Sequence, residues 1–308
     1  MNFRRLASAA ALASGALAAT NRGLRRTEPL DPPLPGEQRS YRWRGMEIAH
    51  TIAGDPDDPT LVLLHGTSAV ATSGEWRAVF DRLADEYHVV APDLPGFGCS
   101  DRPAIEYSPE LYVDFIREFL EPYDEPAVLA SSLSGAYAVL AAEDAHVSRL
   151  LLVCPSAKGG SEPPNAWLRR LLRTPVVGEA LFNLSVSKPA IRYFNADHGY
   201  GDPRNLTDEW IEYEWQTGHR PNARFAPAAF LSGYLNVDVD LGAALTKLDV
   251  PTTVIWGREA AVSPLSRGRE IAEVADARLV VFDDAKLLPH VEYPDQFVEE
   301  IRKSMGGA

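Results

Sequence analysis

The chain has 308 residues, 45% of them apolar, 24% charged and 9% aromatic. That composition allows one large core plus an insertion and excludes a disordered, collagen-like or disulfide-stapled chain. Acidic residues outnumber basic ones 43 to 30, a net charge of −13, and a field of that sign repels phosphate backbones, so no nucleic-acid partner is expected. Only five of the 30 basic residues are lysines. Acid excess with arginine over lysine points to a salt-adapted surface. Cys99 and Cys154 lie in apolar or Gly-rich stretches, which fits two buried thiols in a reducing, cytoplasmic compartment. No His/Cys/Asp cluster has metal-ligand spacing, and neither a metal nor a cofactor is expected.

At the start of the chain, Arg4-Arg5 precede a small-residue apolar run from Leu6 to Thr20, followed by Arg22, Arg25 and Arg26. The run is short for a membrane span and alanine supplies little apolar area. Ala-Leu-Ala at 16–18 resembles a cleavage site, but arginines on both flanks count against clean export. A loosely packed helix is the preferred reading, beside a weak membrane association through residues 6–20 or an export signal. Residues 27–39, with four prolines, read as a linker.

Strand and helix patterns then alternate. Strands are expected over 47–53, 60–64, 88–91, 126–130, 149–153, 252–256 and 277–282. Trp76, Val79, Phe80 and Leu83 share one helical face. Ser108-Pro109 opens a helix whose buried side is Tyr112, Phe115, Ile116, Phe119 and Leu120. Short apolar strands between amphipathic helices imply a mostly parallel sheet covered on both faces. The alternation stops across 158–247, where helical pieces at 167–172, 209–215 and 225–235 suggest a cap over the carboxyl edge of the sheet, where open α/β folds bind ligands. The expected domains are therefore a 1–39 leader and linker, a core of 40–157 with 248–308, and the 158–247 cap.

Four segments, in order, resemble the α/β-hydrolase family. His65-Gly66-Thr67 after a strand resembles its oxyanion loop, and Asp93-Leu94-Pro95-Gly96-Phe97-Gly98-Cys99-Ser100 its D-x-P-G-x-G-x-S turn. Ala130-Ser131-Ser132-Leu133-Ser134 stands where the nucleophile elbow belongs, and Leu287-Leu288-Pro289-His290-Val291-Glu292-Tyr293-Pro294 matches H-x-P-H-x-E-x-P except at its first position. The resemblance implies an α/β-hydrolase fold with an eight-stranded sheet and a helical cap, Ser132 at the nucleophile position, and the amides of Thr67 and Leu133 as oxyanion donors. Ala130 and Ser134 replace the elbow glycines. Both are small enough for a tight strand-to-helix turn, and Gly135 lets the helix pack closely.

The same resemblance exposes what is missing. The family's G-x-x-D-x-x-x-P acid segment reads Gly257-Arg258-Glu259-Ala260-Ala261-Val262-Ser263-Pro264, so alanine occupies the acid position; Leu287 occupies the base position. Serine is a poor nucleophile without a base and an orienting acid. The alternative acid site after the sixth strand reads Cys154-Pro155-Ser156, and Glu259, Asp283 and Asp284 are poorly placed. His290 is the one candidate for a relocated base, against its simpler reading as a residue packed beneath the pocket. His65 is expected to brace the oxyanion loop, His198 and His219 to lie on the surface, Arg258 and Glu259 to form a surface pair, and Cys154 to be inert core.

Three functions follow from these residues. The first is a hydrolase-fold protein that has lost the serine mechanism and binds a small apolar or amphipathic molecule under its cap. The second is an active ester or amide hydrolase with His290 as rearranged base. The third is a membrane-proximal interaction protein held by residues 6–20.

Overall fold

Alternate residues of the central strands enter two different cores. Val62 and Leu64, Val128 and Ala130, and Leu150 and Leu152 pack into one cluster; Leu61 and Leu63, Ala127 and Leu129, and Leu151 and Val153 pack into another. Successive strand side chains point to opposite faces, so a run that is apolar at every position marks a sheet buried on both sides. The computed structural model describes residues 3–306, with side chains from Ala13 onward.

In chain order, α1 (Phe3–Leu24) precedes β1 (Glu37–Trp43), β2 (Met46–Ala53) and β3 (Thr60–Leu64). A 3-10 turn at Ser73–Trp76 then leads to α2 (Phe80–Ala84) and β4 (His88–Pro92). Next come α3 (Pro109–Leu120), β5 (Ala127–Ser131), α4 (Leu133–Ala141) and β6 (Arg149–Val153). The insertion carries α5 (Ala166–Arg173), α6 (Val177–Ser185), α7 (Lys188–Phe194), α8 (Asp208–Gly218) and α9 (Phe225–Leu231). The chain returns through α10 (Leu241–Leu245) to β7 (Thr252–Gly257), α11 (Leu265–Val274), β8 (Arg278–Phe282), α12 (Pro289–Glu292) and α13 (Pro294–Met305).

The eight strands are ordered β1-β2-β4-β3-β5-β6-β7-β8, with β2 antiparallel to both neighbours and every other pair from β4 to β8 parallel. Helices α3, α4, α10 and α11 cover one face, and α2 and α13 the other. Ser108 caps α3 by accepting the Leu111 amide, and the five side chains expected on its inner face are all buried. Helices α9 and α10 both put side chains into the main core, whereas α6, α7 and α8 pack on one another. They have a small core of their own around Phe182, Val186, Ile191, Tyr200 and Ile211.

Two expectations need correction. Residues 37–39 belong to β1 and not to a linker; the strand's mostly exposed pattern carries no apolar alternation to announce it. His219 is not a surface residue: it is 3% exposed, and its Nδ1 lies 2.7 Å from the Trp215 carbonyl at the end of α8. Cys99 is half-buried and Cys154 buried. Burial, first among the causes, pushes both thiols up to about 12, so both are held as unreactive thiols at neutral pH.

Helix α1 docks against α6 through its last turns. Buried Asn21 donates from Nδ2 to the Val176 carbonyl at 2.8 Å and accepts from Asn183 at 3.2 Å. Arg25 forms a two-pronged pair with Glu179 at 2.7 and 2.8 Å. The preferred reading of a packed helix thus describes its C-terminal end, whereas most of 13–20 is exposed. No helix among the described residues is long and apolar enough to cross a membrane.

Candidate functional site

The chain order reverses at β3: it leaves for β4 on one side and β5 pairs on the other. Such a switch point leaves a crevice at the carboxyl ends of the strands. It brings His65-Gly66-Thr67, after β3, beside Ser131-Ser132, after β5. A Cβ on Gly66 would lie 3.3 Å from Ser132 Cβ and 3.3 Å from Glu75 Oε2, so only glycine sits there without crowding both.

Ser132 has φ +55° and ψ −128°, between the end of β5 and the first residue of α4. A non-glycine residue in this region costs on the order of 1–3 kcal/mol and persists because its surroundings enforce it. They do so here: the Ser132 amide donates to Val153 O at 2.9 Å, and its carbonyl accepts from Gly135 and Ser156 at 3.0 and 3.1 Å. Ser134, in place of an elbow glycine, is used: its hydroxyl donates to the His65 carbonyl at 2.5 Å, tying the elbow helix to the loop opposite. Gly135 packs so tightly that a Cβ would reach Pro155 Cβ at 3.0 Å. Among the described residues neither the Thr67 nor the Leu133 amide has a hydrogen-bond partner, and buried Thr67 Oγ1 has none either. The two unpaired amides lie on the loop after β3 and at the start of α4, which the Ser134–His65 hydrogen bond ties together.

His65 braces this loop. Its Nε2 accepts the Leu94 amide at 3.0 Å, so Nδ1 carries the proton and donates to the Gly66 carbonyl at 2.7 Å. The loop is thereby fixed to the turn organised by Asp93, whose carboxylate accepts the amides of Ser73 and Cys99.

Ala260 is buried, and Leu287 packs against the main core cluster. The two loops that carry them are joined, Glu259 N donating to Ala285 O at 3.0 Å. Residues 260 and 287 are thus carried on adjoining loops, and neither is titratable. Arg258 pairs with Asp283 at 2.6 Å and not with Glu259, which corrects that pairing. His198 is part-exposed beside Asp197.

His290 is fully buried, its ring tilted against Trp76 with 4.6 Å between centroids and edge-on to Phe297. Its nearest charged partner is Glu75, with Nε2 at 3.4 Å from Oε1, and neither ring nitrogen makes a full hydrogen bond. Glu75 is the residue that sequence reasoning missed. Its other oxygen accepts the Gly66 amide at 2.7 Å. Burial would raise its carboxyl; His290, the Ser131 hydroxyl and the Gly66 amide outweigh burial and hold it below the usual carboxylate range. The only signal for it in the sequence was an acid immediately before buried Trp76, one step off the apolar face of the helix.

The cap closes over the same loop. Lys286 Nζ donates to the carbonyls of Ala196 and Asp197 at 2.8 and 3.0 Å, and Glu292 accepts the amides of Gly201 and Asp202 at 3.0 and 2.9 Å. Arg77 reaches up to Tyr200 OH at 2.8 Å and lies 3.7 Å over the Trp210 ring.

This geometry agrees with the comparisons. A model of the Alpha/beta hydrolase family matches residues 61–300. The chain belongs to that family. An uncharacterized protein of Mycobacterium tuberculosis is 27% identical over 307 residues, covering 91% of this chain and 84% of its own. The 2-hydroxymuconate semialdehyde hydrolase of Pseudomonas sp. (strain CF600) is 29% identical over 246 residues, covering 77% and 83%. The 2-hydroxy-6-oxo-6-phenylhexa-2,4-dienoate hydrolase of Rhodococcus sp. strain RHA1 superposes with a TM-score of 0.72 at 22% identity, covering 89% of this chain and all of that one. Two of these three relatives of the hydrolase-family chain are named as hydrolases.

Proposed function

We propose that this α/β-hydrolase chain binds a small apolar or amphipathic molecule under its cap without turning it over by a serine triad. A carbonyl or carboxylate oxygen of the ligand would rest between the Thr67 and Leu133 amides beside Ser132. The observation that carries the reading is the surroundings of the base position: Leu287 stands there, and the nearby buried imidazole, His290, faces Glu75. A serine hydroxyl beside leucine is also harder to ionise, because desolvation disfavours the alkoxide.

The test is the intact mass of the folded protein after exposure to a fluorophosphonate. No adduct is expected on the wild type, and an adduct should appear at Ser132 once both positions are refilled, as Ala260→Asp with Leu287→His. A stoichiometric wild-type adduct that Ser132→Ala removes would overturn the proposal.

A second reading keeps the enzyme alive with Glu75 and His290 as a relocated pair. The observation in its favour is their position beneath Gly66 and Ser131. A carboxylate held below its usual range is a weak base, which is why this reading ranks second. It requires that wild-type protein carry the adduct and that His290→Ala lose it.

A further inference from the structure

The outer face of the cap carries an apolar stripe that the cap core does not use. On α6, Val177, Leu181 and Leu184 recur at one-turn spacing and are 48%, 40% and 69% exposed. On α5, which packs beside α6, Trp167 is 70% exposed. Single exposed apolar residues are ordinary, but four on two adjoining helices form a patch that a soluble monomer has no use for.

The charge beside that patch runs against the charge of the molecule. The whole chain carries −13, yet residues 13–26 hold three arginines and no acid, and residues 163–178 hold three arginines and no acid. The one acid on α6, Glu179, is neutralised by Arg25, the residue that follows α1. Arg169, Arg170 and Arg173 line a cavity of ≈ 520 Å³ on α5, in which Glu106 pairs with Arg169 and Arg173. Arg170 is exposed and unpaired among the described ion pairs, one turn from Trp167.

We infer that the face formed by α5, α6 and the docked end of α1 binds an anionic phospholipid surface. Trp167, Leu181 and Leu184 enter the acyl boundary, while Arg170 and the arginine-lined cavity meet headgroup phosphates. An apolar stripe flanked by arginine and an interfacial tryptophan is the pattern of a helix pair lying in the interface plane. A second copy of the chain fits less well. A two-fold contact sets the same patch against itself, and arginine would then oppose arginine. A lipid surface of negative charge instead compensates them. The inference is independent of whether Ser132 is reactive.

The test is flotation of the full-length chain with vesicles of phosphatidylcholine, with and without phosphatidylglycerol. Binding is expected only when the anionic lipid is present, weakening as salt is raised. Trp167→Ser with Leu184→Ser should weaken it by at least about tenfold, and Arg170→Glu by about tenfold or more. These side chains are exposed, so circular dichroism should show both variants folded. Equal binding to neutral vesicles, no flotation at all, or variants that float like the wild type would each overturn the proposal. So would a solution dimer that the apolar variant dissociates in the absence of any vesicle binding.

Discussion

Glu214 shows how one buried acid of the cap shapes the behaviour of the protein. It lies on α8, accepts from Asn195 Nδ2 at 2.6 Å, and is 8% exposed. Burial, more than any neighbour, raises its carboxyl to about 7. An acid whose folded value is raised contributes its stability below the ordinary carboxylate range and loses it as pH rises through 7. The loss is on the order of 3 kcal/mol. Glu214→Gln should therefore match the wild type in melting temperature near pH 5 and exceed it near pH 8; parallel pH profiles would refute this assignment. Glu75 works in the opposite sense, since its lowered carboxyl stabilises at neutral pH and ceases to do so in acid. Neither acid was legible in the sequence. The turn at Ser132 was, because motif spacing fixes positions along the chain, whereas Glu75 reaches Gly66 only through a turn that folds back beneath it.

Among the elements, the strands with an unbroken apolar run after their first residue were the most legible. β3 and β6 have the expected bounds, since nothing but a doubly covered sheet accommodates such runs in five residues. β1 was not, because an edge strand with an exposed pattern is held by its ladder to β2 and not by burial. The junction of α1 with α6 was equally hidden. It depends on a polar side chain: Asn21 holds the carbonyl of Val176, a β-branched residue at φ +63°, which is costly backbone for that side chain. Replacing Asn21 by alanine leaves the Val176 carbonyl and the Asn183 amide without their partner. It should cost about 1–3 kcal/mol and expose the Arg25 region to limited proteolysis; an unchanged denaturation midpoint and digestion pattern would show the junction to be passive.

Across the whole molecule, 43 acids face 30 bases, and many of the ion pairs are exposed ones worth little singly. The surplus repels itself, so salt should raise the melting temperature as the Debye length shrinks from about 30 Å at low salt to about 3 Å. A melting temperature that falls with salt would mean that the pairs outweigh the surplus. Counting residues was enough to anticipate this, but not the segregation of arginine onto one face of the cap, which only the packing of α1, α5 and α6 creates. The clasp between Lys286, Glu292 and the cap has a last implication. Lys286 and Leu288, on either side of Leu287, both engage the cap, Leu288 lying against Gly199. Any swing of the cap that keeps this clasp intact takes residue 287 along. A histidine there would lose and regain its alignment with Ser132 in every cycle of admission and release, coupling reaction timing to traffic through the doorway. On the proposed reading, in which Ser132 has no base, a cap that carries Leu287 with it has no catalytic alignment to keep.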